Sequence, residues 1–119
     1  MGNPVVHFEV GCRDKDRTTA FYSELFGWTP SPHGPSSAKL DTGSQRGIGG
    51  HVTSLGHEPH TYVMFYVEVD DIPEAIAAAE ALGGSVLIGE LPTPDGGSFA
   101  WLQDPEGNSF GLLRPPGDA

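Results

Sequence analysis

The chain has 119 residues, enough to bury one hydrophobic core but not two independent ones. Sixteen Asp and Glu against six Lys and Arg give a formal net charge of −10, which opposes binding to nucleic acid and to anionic lipid surfaces. No stretch approaches the roughly 20 apolar residues of a membrane span, and no secretory signal pattern opens the sequence, so we expect a cytoplasmic protein. Cys12 is the single cysteine, which excludes an intrachain disulfide and a thiolate metal cluster.

The first predicted element is an alternating strand over residues 5–10. Successive side chains of a strand point to opposite faces, so Val5, His7 and Glu9 share one face. The other face carries three apolar side chains and is suited to packing under a helix.

A helix is predicted from Asp14, whose carboxylate caps free amides, to Gly27, which ends it. Phe21 and Leu25 lie one turn apart on this helix, and Trp28 after it is expected to pack. Strands are predicted over 38–42 and 47–55, whereas the segments 29–37 and 55–60 have the composition of loops.

The same order recurs in the second half of the chain. A strand over 64–69 places Met64, Tyr66 and Glu68 on one face and three apolar residues on the other. Asp71 and Glu74 have the spacing of a capping box, and the helix that they begin ends near Gly83. Its apolar stripe consists of Ile72, Ala75, Ile76, Ala79 and Leu82. Further strands are predicted over 86–88, 98–103 and 109–113.

The two copies predict an α+β fold built from paired βαβββ modules. Aligned on their Glu-Val pairs, they place His7 opposite Tyr66 and Glu9 opposite Glu68. We assign residues 1–55 to the first module and 61–114 to the second, within one domain over 1–119.

Several motifs together resemble the vicinal oxygen chelate superfamily, which comprises glyoxalases, bleomycin-resistance proteins and extradiol dioxygenases. They span nearly the whole chain in the expected order: Val6-His7-Phe8-Glu9-Val10, Ala20-Phe21-Tyr22-Ser23-Glu24-Leu25-Phe26-Gly27-Trp28, Gly47-Ile48-Gly49-Gly50, Ala81-Leu82-Gly83-Gly84 and Asp104-Pro105-Glu106-Gly107-Asn108. The resemblance implies a mixed sheet that curls into a cup, a small-molecule ligand inside it, and a homodimer.

Members of this superfamily that use a divalent metal draw its ligands from the first and last strands of each module. The corresponding positions here are Val5, Gly49, Met64 and Gly111, none of which carries a ligating side chain. At the positions where the superfamily usually binds its metal, the resemblance therefore predicts no cofactor for this chain.

His7 and His51 lie two residues beyond two of these positions, so the strand period keeps them on the same concave face. With Glu9 they have the composition of a metal site with open positions, which makes a displaced divalent-metal site one hypothesis. In the alternative, which the missing family ligands favour, the two histidines line the cup and hydrogen-bond to ligand, water or carboxylates.

Acid/base chemistry without a metal is also open to these residues, because a carboxylate orients an imidazole and raises its pKa. We assign catalytic roles to His7, Glu9, His51 and Tyr66, with proton transfer next to a carbonyl as the natural reaction. A structural role is equally open for the carboxylates of Glu9 and Glu68.

Four further residues are candidates for ligand binding: Met64, Glu68, Phe99 and Trp101. Phe99 and Trp101 alternate along one predicted strand, so they form an aromatic wall if that face is concave and part of the core if it is not. The sequence leaves both possibilities open. His33, His57 and His60 lie in loops and are expected to be exposed.

Three functions follow. The first is a glyoxalase-like enzyme that acts on a small oxygenated or aromatic metabolite. The alternative is a non-catalytic protein that binds a drug or natural product, as in the bleomycin-resistance branch. The third, a divalent-metal lyase or isomerase, is disfavoured by Gly49 and Gly111.

Overall fold

A computed structural model of the chain describes residues 2–55 and 59–117. In these ranges the order strand, helix, three strands occurs twice, which confirms the α+β fold class and the repeat. The residues group into two compact units: a first unit, Val6–Met64, and a second unit formed by the described residues up to Val5 and from Phe65 onward. No helix of the described ranges is long and apolar enough to cross a membrane.

The first repeat consists of β1 (Val5–Gly11), α1 (Lys15–Phe26), β2 (Thr29–Pro32), β3 (Ser37–Asp41) and β4 (Gly50–Thr53). Its strands lie in the order β2-β3-β4-β1. β1 runs parallel to β4, whereas β3 is antiparallel to both of its neighbours. The parallel pairing places the middle of β1 directly beside β4.

Helix α1 begins and ends where its capping residues predict. The Asp14 carboxylate accepts a hydrogen bond from Arg17 N at 3.0 Å, and Gly27 adopts the left-handed conformation with φ 70°. Phe21 and Leu25, however, are 58% and 59% exposed. The helix instead turns Thr19 inward, with half-buried neighbours one turn to either side.

The core of the first unit lies between α1 and its strands. Val10, Cys12, Leu40 and Val52 are buried there, and Trp28 packs against them as predicted. The face of β1 that carries Val10 therefore packs in the core. His7 and Glu9 lie on the opposite face and are left to make other contacts.

Strand β2 lies in the segment 29–37 that the sequence predicts as a loop, so that prediction is wrong for Thr29–Pro32. Pro30 and Pro32 lack the N–H that an internal strand must donate, which favours the loop interpretation. β2 escapes this restriction because it is the end strand of its unit and pairs only with β3, Pro30 facing Leu40.

The second repeat consists of β5 (Tyr62–Glu68), α2 (Ile72–Ala81), β6 (Ser85–Pro92), β7 (Ser98–Gln103) and β8 (Ser109–Arg114). The first three residues of β5 belong to the first unit. From Phe65 onward the strands lie in the order β5-β8-β7-β6, with β5 parallel to β8. β6 is longer than the predicted 86–88 because it continues, through register shifts, along β7.

Helix α2 covers a core made of Ile72, Ala100, Leu102 and Leu112. Asp71 caps it by accepting a hydrogen bond from Glu74 N at 2.9 Å. Four of the five residues of the predicted stripe pack in this core, but Leu82 is 81% exposed. The helix ends at Ala81, so Leu82 no longer follows the helical period.

Candidate functional site

His7, Glu9 and His51 meet in the first unit. The parallel register of β1 and β4 sets Glu9 opposite His51, and His51 Nε2 lies 3.1 Å from Glu9 Oε1. His7, two residues earlier on the same face of β1, places its Nε2 2.6 Å from His51 Nδ1. The three side chains thus form a continuous hydrogen-bonded chain, Glu9–His51–His7.

The carboxylate at the start of this chain is buried, since Glu9 is only 2% exposed. Its second oxygen, Oε2, accepts a hydrogen bond from the hydroxyl of Tyr62. The Tyr62 ring lies over Gly11, where a side-chain Cβ would overlap it. Glu9 is therefore held from two sides, by His51 and by Tyr62.

Tyr62 also belongs to this cluster, although the sequence pattern did not predict it. It lies two residues before Met64, on the same face of β5 as Met64 and Tyr66, so the strand period was the available signal. The predicted strand begins at residue 64, two residues after the observed start at Tyr62, and so excludes it.

The hydrogen bonds fix the tautomers of the two imidazoles when Glu9 is ionised. An ionised carboxylate only accepts, so a neutral His51 donates through Nε2–H and accepts at Nδ1. His7 then donates through Nε2–H, which leaves the lone pair of His7 on Nδ1. Nδ1 is therefore the basic atom of the cluster.

Burial and, second to it, the neighbouring His51 lower the pKa of His7 to about 4, although Glu9 acts in the opposite direction. His7 is thus neutral at pH 7 and able to accept a proton. Burial and the hydrogen bond to Glu9 raise the pKa of Tyr62 far above its usual range. The phenol keeps its proton and remains a donor to Glu9.

Two more basic residues lie beside this cluster. The His33 ring centroid is 6.0 Å from that of His51, and Lys39 pairs directly with His51 between β3 and β4. Burial, and after it Lys39 and His51, lowers the pKa of His33. His33 is exposed, as expected, but it is adjacent to the site; His57 lies outside the described residues.

The usual metal positions of the superfamily do not fit a metal here. Val5 and Gly49 offer no ligating side chain, and Met64 offers only a soft thioether. The ring of Tyr66 fills the space above Gly111, where any Cβ would overlap it. The residues that the structure describes contain no group of three or more His, Cys, Asp or Glu arranged to hold a metal ion.

The displaced set does not fit a metal as it is arranged either. Two nitrogens bound to one zinc ion at 2.0–2.1 Å lie about 3 Å apart or more, but His7 Nε2 and His51 Nδ1 are 2.6 Å apart. The other nitrogen of His51 and both oxygens of Glu9 are already engaged. A displaced metal site stays a prediction, and it would require the two rings to separate.

Tyr66 and Trp101 form a separate arrangement in the second unit. Gly111 of β8 pairs with Tyr66 on one side and with Trp101 on the other. Because Gly111 has no side chain, the Tyr66 ring lies over it, and Trp101 Nε1 donates to the Tyr66 hydroxyl at 2.7 Å. Both residues are buried, at 5% and 7% exposure.

The other predicted ligand-binding residues have varied surroundings. Phe99 and Trp101 lie on the face of β7 opposite to that of Ala100 and Leu102, which pack under α2. Met64 is buried, and Glu68 is half-buried with its backbone N–H bonded to Pro4 O. The roles assigned to Met64, Tyr66, Glu68, Phe99 and Trp101 stay predictions.

Comparison with known proteins identifies relatives of the chain. The model of the glyoxalase-like domain matches residues 6–113. A glyoxylase-like domain-containing protein of Didymella fabae is 29% identical over 92% of this chain and 91% of its own length. The putative glyoxylase CFP32 of Mycobacterium tuberculosis is 34% identical over 84% of this chain, which spans only 40% of that relative.

Among solved structures, methylmalonyl-CoA epimerase from Mycobacterium tuberculosis superposes with a TM-score of 0.66 over 95% of this chain and 88% of its own, at 11% identity. At this identity the likeness to the epimerase shows a shared fold only. The family model, by contrast, matches the sequence itself, over nearly the same residues as the motifs that resemble the vicinal oxygen chelate superfamily. The chain belongs to the glyoxalase-like domain family.

Proposed function

We propose that this protein is an enzyme that moves a proton next to the carbonyl group of a small oxygenated metabolite, with His7 as the proton acceptor. The observation that supports this most directly is the hydrogen-bonded chain Glu9–His51–His7. It ends on His7 Nδ1, the nitrogen not used in that chain.

The proton transfer can be followed along the chain. The C–H bond next to the carbonyl breaks, its electron pair forms an enolate, and the proton binds His7 Nδ1. His7 then passes its Nε2 proton to His51 Nδ1, and His51 keeps its Nε2–H on Glu9. The positive charge comes to rest on the ring beside the buried carboxylate, where opposite charge stabilises it. Return of the proton to carbon completes an isomerisation or exchange.

His7 suits this role because it is neutral at pH 7. Burial holds its pKa at about 4, so Nδ1 is unprotonated in almost every molecule at pH 7. The low pKa makes His7 alone a weak base, and the transfer to His51 compensates for this by moving the charge toward Glu9. Glu9 and His51 are thus positioning residues for the reacting group of His7.

The comparisons add little about the substrate. The name of methylmalonyl-CoA epimerase belongs to a protein with 11% identity, and CFP32 is more than twice as long as the region it shares with this chain. A homodimer and a cytoplasmic location likewise stay predictions of the sequence.

Hydrogen–deuterium exchange tests the proposal without knowledge of the natural substrate. Small carbonyl compounds such as pyruvate and pyruvamide are incubated with the protein in D₂O, and the loss of their C–H signals is followed by NMR. We expect catalysed exchange that falls by about 100-fold or more in His7→Gln, the usual size of an acid/base contribution.

Glu9→Gln should also slow exchange, whereas Glu24→Gln, the same change on an exposed part of α1, should not. Exchange in His7→Gln at the wild-type rate would overturn the proposal. Binding of these compounds with no exchange in the wild type would favour the non-catalytic alternative.

A further inference from the structure

We infer that Lys39 forms an anion-binding position beside His51, and that the substrates of this protein are small oxo acids whose carboxylate it holds. The substrate assignment rests on the proposed function, whereas the binding position stands on geometry and can be tested separately.

The strand registers place Lys39 in line with the catalytic cluster. Lys39 faces His51 across β3 and β4, and His51 faces Glu9 across β4 and β1. Side chains of directly opposed residues project from the same face of a sheet. Lys39, His51 and Glu9 therefore form one row across three strands, with a cation at one end and a buried carboxylate at the other.

The acid at the far end of the row does not neutralise Lys39. Both oxygens of Glu9 are occupied, by His51 and by Tyr62. Asp41, two residues along β3, accepts a hydrogen bond from Gly43 N at 2.8 Å. Within the described ranges the Lys39 ammonium has no ion pair, in a chain with a net charge of −10.

The surroundings of Lys39 favour an anion over a neutral ligand. The His33 ring lies 6.0 Å from that of His51, and its lowered pKa keeps it neutral. His33 thus supplies a hydrogen-bonding group without charge, and Lys39 supplies the positive charge. The ammonium also lowers the pKa of His7 and of His33, as expected for a cation near both rings.

The spacing of the row suggests the size of the ligand. Lys39 on β3 and His7 on β1 are separated by β4, so their backbones lie about two strand spacings of roughly 4.8 Å apart. The long side chain of Lys39 can cover about one of these spacings, which leaves about the length of a three- or four-carbon molecule. A compound whose carboxylate is bonded to its carbonyl carbon, or lies one carbon further, can contact Lys39 while its acidic C–H faces His7. A small oxo acid meets this description.

Binding is tested with pyruvate and with pyruvamide, its neutral analogue of nearly the same shape. Each is titrated into the protein while the imidazole signals of His33 and His51 are followed by NMR. We expect pyruvate to shift these signals and pyruvamide to bind more weakly. Lys39→Gln should weaken pyruvate binding by roughly two- to fivefold, the range of an exposed ion pair.

Lys15→Gln is the matched control, because it removes the same charge from α1, where Lys15 contacts Asp16. Lys39 is exposed, so its variant is expected to fold, which circular dichroism verifies. Equal pyruvate binding by Lys39→Gln and Lys15→Gln would overturn the inference, as would the absence of any pyruvate effect on the wild type.

The exchange assay separates this inference from the proposed function. If pyruvate binds through Lys39 but its methyl protons do not exchange, the anion position holds and the proposed reaction fails. If pyruvamide exchanges as fast as pyruvate and both depend on His7, the reaction stands and the anion position is wrong.

Discussion

His7 Nε2 and His51 Nδ1 are joined by a hydrogen bond of 2.6 Å, so one ring donates and the other accepts. If both rings were doubly protonated, two N–H groups would face each other at this distance. The pair therefore accepts only one additional proton while the hydrogen bond persists. This restriction links the protonation of His7 to the stability of the fold.

The first prediction concerns the pH dependence of the free energy of unfolding. His7 has a pKa of about 4 in the folded protein and about 6.5 when unfolded. Between these values the unfolded chain binds more protons, so acidification from pH 6.5 toward 4 lowers the stability. The slope due to His7 is at most about 1.4 kcal/mol per pH unit.

His7→Gln removes this contribution, because glutamine does not titrate and its amide still donates to His51. Urea unfolding of both proteins across pH 4–7 checks it, since titrating groups away from the cluster cancel in the comparison. The wild type should lose more stability than the variant on acidification. Parallel stability curves would show that His7 has an ordinary pKa.

The second prediction concerns the buried partner of Glu9. Tyr62→Phe removes the hydroxyl that donates to Glu9 Oε2 but keeps the ring over Gly11. Loss of a hydrogen bond to a buried charged group is expected to cost about 1–3 kcal/mol of unfolding free energy, as measured by urea denaturation.

Tyr22→Phe serves as the control for this change. Its ring packs on Trp28, and its hydroxyl has no side-chain partner within the described part of the chain. Removing that hydroxyl should change the stability by no more than about 0.5 kcal/mol. Equal effects of the two substitutions would mean that Tyr62 does not support Glu9.

The sequence predicts much of the first unit's site because strand alternation is a local property. Alternation along the first strand places His7 and Glu9 on one face. The same two-residue period, counted from Gly49, predicts that His51 lies on that concave face too. The register that sets Glu9 opposite His51 is not local, since parallel strands are joined by a long connection. The role of Lys39 depends on such a pairing, that of β3 with β4. The role of Tyr62 depends on where β5 begins, and the turn-rich sequence before β5 makes that start hard to predict.

The third prediction concerns divalent metal. A site that binds zinc with a Kd one hundredth of the added concentration would stabilise the fold by about 2.7 kcal/mol. Because the His7 and His51 nitrogens are closer than two zinc ligands, we expect less than about 1 kcal/mol, measured by urea unfolding with and without zinc. His51→Gln should respond as the wild type does. A large stabilisation that this variant loses would show that the rings open to bind metal.

The fourth prediction concerns Gly111, which lies between Tyr66 and Trp101. Its φ is not in the left-handed region, so alanine suits the backbone, but the new Cβ would overlap the Tyr66 ring. Movement of that ring would break the hydrogen bond from Trp101 Nε1. We expect Gly111→Ala to cost about 2–4 kcal/mol, from overpacking and the loss of this buried hydrogen bond.

Gly89→Ala is the matched control, because nothing lies within 4 Å of a Cβ at Gly89, and its effect should stay within about 0.5 kcal/mol. A double-mutant cycle with Tyr66→Ala identifies the cause. If the ring is what alanine meets, Gly111→Ala becomes nearly neutral once the ring is gone. If its cost persists in the Tyr66→Ala background, the strand backbone rather than the ring requires glycine at this position.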